Sequence, residues 1–155
     1  MTRVLFVCLG NICRSPMAEY VLRRLAAERG LSDKIRAASA GTSGFHDGED
    51  MHRGTKTVLQ RHGIDTGGFT NRKIEAADKQ HYDYIVAMDD ANLAELERLF
   101  GRHPDKLFKL TDLIPESGYS HVPDPWYTGD FDETYALAAA SCAALLDKIA
   151  AEKGL

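Results

Sequence analysis

The residues best suited to chemistry in this 155-residue chain lie close to its start, in Cys8-Leu9-Gly10-Asn11-Ile12-Cys13-Arg14-Ser15-Pro16. A cysteine thiolate is a strong nucleophile and an arginine presents a planar fork of donors that matches two oxygens of a phosphoryl group. Five residues separate Cys8 from Arg14. On an anion-binding loop, that arrangement lets the thiolate attack phosphorus while the loop holds the three equatorial oxygens.

The elements around the motif would build such a loop. Val4-Leu5-Phe6-Val7 is an apolar, β-branched run that predicts a buried strand. Pro16 suits the first turn of a helix, where its missing N–H would be unpaired anyway. Ser15 is placed to cap that helix. Cys8 to Arg14 is therefore a strand-to-helix turn whose backbone N–H groups, from Leu9 to Ser15, converge on one point beside a positive helix end. Amide dipoles, Arg14 and the helix start all favour Cys8 as thiolate. Asn11 suits a left-handed backbone position within the loop. Ser15 is also in place to hydrogen-bond the Cys8 sulfur. The bland alternative is a strand-end cysteine beside an unrelated arginine, or Cys8 and Cys13 as metal ligands. No second Cys pair or His cluster completes a zinc site, and no metal or other cofactor is expected.

Length and composition fit one α/β domain spanning residues 1–155. The chain is 44% hydrophobic and 27% charged, with a net charge of −4. That balance argues against nucleic-acid and membrane-surface partners, so an anionic substrate has to be drawn in by a local site. No signal peptide is visible, and no stretch is expected to span a membrane. An odd number of cysteines fits a reducing compartment, so a cytoplasmic location is expected. A monomer is expected.

Taken in order, the pattern predicts a strand at 3–7, a helix at 16–29 closed by Gly30, and a strand at 35–39. Strand, helix, strand implies a parallel pair with a right-handed crossover. A Gly-rich loop at 42–50 carries Phe45 and His46. A helix follows at 52–62, with His62 at its end, then a short one at 75–81. A third strand covers 84–88, and Asp89 or Asp90 caps a helix bearing Leu93, Leu96 and Phe100. A fourth strand is expected at 106–110, irregular structure across 113–130, and an Ala-rich helix at 133–151 that buries Cys142. The fold class is a three-layer domain: a four-stranded parallel sheet flanked by helices, with a phosphate-binding loop after strand one.

Expelling an alkoxide or phenoxide requires a carboxylic acid. Asp124, in Asp124-Pro125-Trp126-Tyr127, is the best candidate. Pro125 biases it towards extended backbone and away from helix caps. From the residues alone, a simple turn aspartate is about as good a description.

The nine-residue motif resembles the low-molecular-weight protein tyrosine phosphatases. The similarity continues at Ser39-Ala40-Gly41-Thr42, at Met88-Asp89 with Asn92, and at Asp124-Pro125-Trp126-Tyr127, in the family's order across nearly the whole chain. The resemblance implies a metal-independent phosphotyrosine phosphatase acting through a cysteinyl-phosphate. Cys8 would be the nucleophile, Arg14 the clamp and Asp124 the general acid and base. Amides of Leu9, Gly10, Asn11, Ile12, Cys13 and Ser15 would hold the phosphate. Asn11, Ser15 and Ser39 would support the loop. It implies Phe45 as one cleft wall, Trp126 and Tyr127 as the other, and a reversible Cys8–Cys13 disulfide under oxidation. Substrates would be tyrosine-phosphorylated proteins or peptides, with inorganic phosphate and other oxyanions as inhibitors. Asp89 is a structural position in the family. The chain departs from the pattern at Thr66-Gly67-Gly68-Phe69: many members carry a His near Phe69 that supports the loop, and Phe69 cannot.

Three rivals share parts of this description. One type of arsenate reductase needs further cysteines near the third strand, and residues 79–92 contain none. Protein-arginine phosphatases carry Thr after the loop Asn, where this chain has Ile12. A catalytically dead phosphoprotein-binding module would lack Cys8, Arg14 or Asp124, and all are present.

Overall fold

The computed structural model describes residues 1–155. Its centre is a four-stranded parallel sheet in the order β2-β1-β3-β4, formed by β1 (Thr2–Cys8), β2 (Ile35–Gly41), β3 (Tyr84–Ala87) and β4 (Leu107–Lys109). β1 is paired on both sides and buried from Val4 onward, which is why it reads as a continuous apolar run rather than an alternating one. Its side chains still divide by the pleat. Val4, Phe6 and Cys8 join the larger core, whereas Leu5 and Val7 join the smaller one on the opposite face.

Helices cover both faces. α1 (Arg14–Glu28), α2 (Arg53–Arg61) and α6 (Phe131–Lys153) pack over the larger core. α4 (Asp90–Phe100) closes the smaller core with Leu96 and Phe100. The one-turn helices α3 (Asp78–His81) and α5 (Pro125–Thr128) complete the set. The three-layer expectation is thus met. Gly30 and Gly63 follow α1 and α2 in left-handed conformation, with φ of 72° and 74°.

Several expectations are corrected. α1 begins at Arg14 rather than Pro16, with Cys13 in the N-cap position and no side-chain cap. Ser15 therefore lies inside the first turn and does not cap it. α2 runs only over Arg53–Arg61, because the His52 side chain is its N-cap and accepts from Gly54 N. α3 starts at Asp78, not Glu75, since the Asp78 carboxylate takes the Glu75 N–H and holds that stretch as a turn. The stretch 113–130 contains α5 as well as irregular chain. α6 is longer than expected, from Phe131 to Lys153: capped by Asp130, it starts two residues before Glu133. By length and composition α6 could also cross a membrane, with a mean hydropathy of 1.3 over its best window, contrary to the expectation that no stretch could. In this fold its apolar face, from Leu137 to Ile149, is packed into the larger core.

Candidate active site

Three segments meet at the C-terminal ends of the strands, where parallel α/β sheets hold their ligands. The first is the turn from β1 into α1. None of its backbone N–H groups from Leu9 to Ser15 makes a hydrogen bond within the protein, so a ring of donors is left facing one point. The uncapped start of α1 adds its partial positive charge there.

Forcing the turn into this shape takes support from outside it. Asn11 is the only non-glycine residue with positive φ, at 56°, and is completely buried. The Asn71 side chain donates to Asn11 O at 3.0 Å and also to Gly10 O. His52 N donates to Ile12 O at 2.8 Å, and Thr55 Oγ1 donates to Cys13 O at 3.0 Å. Gly41 fits because a Cβ there would meet Leu9 O at 2.9 Å and Ser43 O at 3.0 Å.

The Asn11 side chain fixes the polarity of the site. Its Oδ1 accepts from Arg72 N at 3.2 Å, so Nδ2 is the donor end. That amide gives one hydrogen to Ser15 Oγ (2.8 Å) and the other to Ser39 Oγ (2.9 Å). Ser39 passes its own hydrogen to Glu19 Oε1 at 2.6 Å. Ser15 is fully buried, and Cys8 Sγ, 3.0 Å away, is the partner left for its own hydrogen once Asn11 donates to it. The count leaves Cys8 Sγ as the acceptor, which is the arrangement a thiolate needs. Asn11, Ser15 and Ser39 thus come together as expected for loop support.

Arg14 is 4% exposed and firmly held. Its Nη1 donates to Asp89 Oδ2 and to Val122 O, both at 2.8 Å. Its Nη2 lies 3.6 Å from Asp124 Oδ2, so the Nε–Nη2 edge remains available to an anion. Asp89 caps α4 through Asn92 N at 2.7 Å, as the sequence suggested, and also orients Arg14, which it did not. Asp124 is the N-cap of α5, accepting from Trp126 N at 3.0 Å through Oδ1. The expectation that Pro125 would keep it from capping is corrected: an N-cap residue is itself extended, and proline is well suited to the position after it. The cap holds one carboxylate oxygen and leaves the other turned towards Arg14.

The cavity bounded by these groups has a volume of about 120 Å³, with Cys8, Cys13 and Arg14 in its floor and Leu9, Ile12, Trp126 and Tyr127 in its walls. Burial, then the neighbouring Cys8 and Asp124, push the Cys13 thiol up to about 12 despite the nearby Arg14. Phe45 does not line this cavity. It is 85% exposed, whereas His46 takes the wall position, its Nδ1 held by Glu49 Oε2 at 3.1 Å. The loop at 42–50 turns the following residue inwards, a choice made by its backbone and invisible in composition.

Three supporting residues escaped the sequence analysis. Asn71 carries the loop from a stretch that reads only as a turn. His52 was assigned to α2 alone. Glu19, 4% exposed and paired with Arg23, stands one helical turn after Ser15 on the same face, a spacing that could have flagged it. Burial raises its carboxyl above the usual carboxylate range against the opposing pull of Arg23 and Ser39. Phe69 packs edge-on against Tyr20, with ring centroids 6.1 Å apart, and takes no part in holding the loop.

An α/β sheet that ends in a buried Cys–Arg anion loop defines a class of cysteine-dependent phosphatase folds, and sequence comparison narrows it. Residues 3–155 match the family model "Low molecular weight phosphotyrosine protein phosphatase". The chain is 46% identical over 156 residues to the low molecular weight protein-tyrosine-phosphatase YfkJ of Bacillus subtilis, covering 100% of both proteins. It is 40% identical to PtpA, a low molecular weight protein-tyrosine-phosphatase of Staphylococcus epidermidis, over 100% of this chain and 98% of the relative. The crystal structure of YfkJ superposes with a TM-score of 0.94 over 99% of this chain and 97% of that one, at 45% identity. The chain belongs to the low-molecular-weight protein tyrosine phosphatases, a family of hydrolases.

Proposed function

We propose that this chain hydrolyses phosphotyrosine monoesters through a cysteinyl-phosphate on Cys8. The observation that supports it best is the Cys8 sulfur 3.0 Å from the Ser15 hydroxyl beneath unpartnered loop amides, with Arg14 buried alongside. The amides from Leu9 to Ser15 and the free edge of Arg14 bind the phosphoryl oxygens and stabilise the charge that spreads over them in the transition state. Cys8 Sγ forms the S–P bond as the P–O bond to the phenol breaks, and protonated Asp124 gives its proton to the departing oxygen. Asp124, now a carboxylate, takes a proton from water as that water attacks phosphorus. The S–P bond breaks, inorganic phosphate leaves, and Cys8 returns as thiolate with Ser15 still donating to it. Positive charge comes from the protein itself, so no step calls for a metal. Inorganic phosphate and similar oxyanions compete for the same donors. His46, Trp126 and Tyr127 wall the space above the phosphate, which suits an aromatic ring.

Cys13 supplies an oxidative brake. Peroxide converts Cys8 to a sulfenic acid, which condenses with the Cys13 thiol to form the disulfide and release water. Oxidation of Cys8 also removes one of the charges that hold the Cys13 proton in place.

The test is phosphate release from a phosphotyrosine peptide by wild type, Cys8→Ser and Asp124→Ala, without added metal. Cys8→Ser should abolish turnover, and Asp124→Ala should slow it by about 10²–10⁴-fold. A phosphoarginine peptide run alongside tests the neighbouring specificity, since a Drosophila arginine phosphatase of 34% identity shares the fold with a TM-score of 0.85. Ile12 lines the cavity with an aliphatic side chain and favours the aryl ester. Turnover of phosphoarginine alone would overturn the phosphotyrosine assignment.

A further inference from the structure

A second groove, of about 610 Å³, opens beside the phosphate cavity and shares Leu9, Arg14, Asp124 and Tyr127 with it. Beyond that common edge it runs past Thr42 and Ser43 to the start of α4, where Asp89, Asn92 and Glu95 line it, with His121 at one side. Its walls are polar where those of the first cavity are aromatic.

The groups there are mostly acceptors. Asn92 is 4% exposed, and its Oδ1 is buried without a hydrogen-bond partner in the protein. A buried unpaired acceptor is costly to leave unmade, and a ligand that brings a donor removes the cost. Asp89 and Glu95 contribute negative charge, Asp89 paired with the guanidinium of Arg14, while Asp124 is protonated at this stage of the reaction proposed above. Arg14 is turned on the phosphoryl group during the reaction proposed above, and the phosphate adds its own negative charge next door. The cations near the outer rim are weak competitors. Arg98 holds Glu95 through Nε at 2.8 Å and through Nη2, but it is 69% exposed, so an incoming cation shares the carboxylate with it. Lys109 is already paired with Asp90 at 2.9 Å, and Lys73 stands near Glu95 without a hydrogen bond to it.

We infer that this groove is a substrate subsite that receives a lysine or arginine side chain flanking the phosphotyrosine. The inference rests on the phosphatase function proposed above. The common edge at Leu9 and Tyr127, which are 56% and 82% exposed, gives one flank of a phosphotyrosine seated in the first cavity a path into the groove. An ammonium or guanidinium there meets the Glu95 carboxylate, a turn of the Asn92 side chain brings the unpaired Oδ1 to the same cation, and its charge offsets the paired Asp89 and the incoming phosphate. An acidic side chain in the same place meets the carboxylates of Asp89 and Glu95.

The test is kcat/KM for phosphotyrosine peptides in which each flanking position in turn is Lys, Ala or Glu, with p-nitrophenyl phosphate as a substrate that has no flanks. Wild type should favour Lys over Glu by at least about fivefold at one or more positions at low salt, with the ratio shrinking as salt is added. Glu95→Gln should weaken that preference and Glu95→Lys should reverse it, both leaving p-nitrophenyl phosphate turnover unchanged. Equal rates for Lys, Ala and Glu peptides at every position would overturn the subsite. So would a Glu95→Lys variant that slows all peptides by one common factor. Absence of p-nitrophenyl phosphate turnover in wild type would overturn the phosphatase function, and this proposal with it.

Discussion

The floor and the rim of the cavity are built on opposite terms. In the floor, Cys8, Asn11, Arg14 and Ser15 are all at most 4% exposed, and their polar side-chain atoms sit in a network reaching Arg72, Asp89, Ser39 and Glu19. At the rim, Trp126 and Tyr127 are 55% and 82% exposed. Among the rim rings, Trp126 meets His46 at 6.3 Å between centroids, and it also meets His52 of the loop support at 5.7 Å. Buried polar groups must be fully paired, so the floor has one arrangement and little tolerance. Exposed rings can shift without leaving anything unpaired, so the rim can adjust to the substrate. On the function proposed above, chemistry belongs to the rigid region and selection to the adaptable one.

The contrast can be broken by substitution, and the floor should yield the largest effects. Arg14→Lys keeps a charge but loses the planar fork, the Val122 O contact and the free Nε–Nη2 edge. Its kcat/KM for a phosphotyrosine peptide should fall by about 10³-fold, with a thermal melt confirming that the variant folds. A fall of less than tenfold would mean that the amides alone carry the phosphoryl charge. Asn11→Ala removes both serine contacts and puts alanine at φ 56°. The urea midpoint should drop by an amount equivalent to about 2–4 kcal/mol, and turnover should fall with it because Ser15 loses its orientation.

Glu19→Gln tests how far the network extends. Burial raises the Glu19 carboxyl above the ordinary range, so the folded protein holds that proton more tightly than the unfolded chain does. Stability from this source is full below the unfolded value and is lost as pH rises through the raised folded value. Glutamine does not titrate, yet it can still accept from Ser39. Urea titrations from about pH 4 to pH 7 should therefore show a flatter pH dependence in the variant, with turnover reduced only several-fold. An unchanged slope would show that Arg23 fully offsets the burial. The rim should yield least: His46→Ala should raise KM for the peptide by about two- to tenfold while kcat stays within a factor of about two. A larger loss in kcat would place His46 in the floor.

Two thiols a few residues apart make the same point inside the floor. Cys8 accepts a hydrogen bond from Ser15, whereas burial holds the Cys13 proton up to about 12. Cys142 is fully buried in the core, and burial raises it too. Brief treatment with iodoacetamide near neutral pH should label Cys8 and leave Cys13 and Cys142 unmodified, as peptide mass spectrometry would report. Labelling of Cys13 at a similar rate would contradict its burial.

Much of this was legible in residue order. The apolar run before Cys8, Pro16 after it, and the Asn tolerant of left-handed backbone are local signals, and local signals specify a strand, a helix start and a turn. Legibility failed where the deciding partner was distant. Ser15 has the composition of a cap, but the Asn11 amide and the Cys8 sulfur claim it. Asp124 reads as a turn residue or an acid, and it is a cap whose second oxygen faces Arg14 across the sheet end. Phe45 and His46 are adjacent in the chain, and the backbone of one loop decided which of them faces inwards.

The order of residues therefore determined the strand-to-helix turn that exposes its amides, with Cys8 and Arg14 at its two ends, and the parallel α/β plan, because each depends on neighbours within a few positions. Tertiary structure alone decided the polarity of the network. Arg72, Asn71, Ser39, Asp89 and Val122 reach the loop from 28 or more positions away, and only their arrival settles which atom donates, which accepts, and which edge of Arg14 stays free. Hydrogen-bond direction depends on all the partners of a group at once, and these partners meet only when the sheet closes.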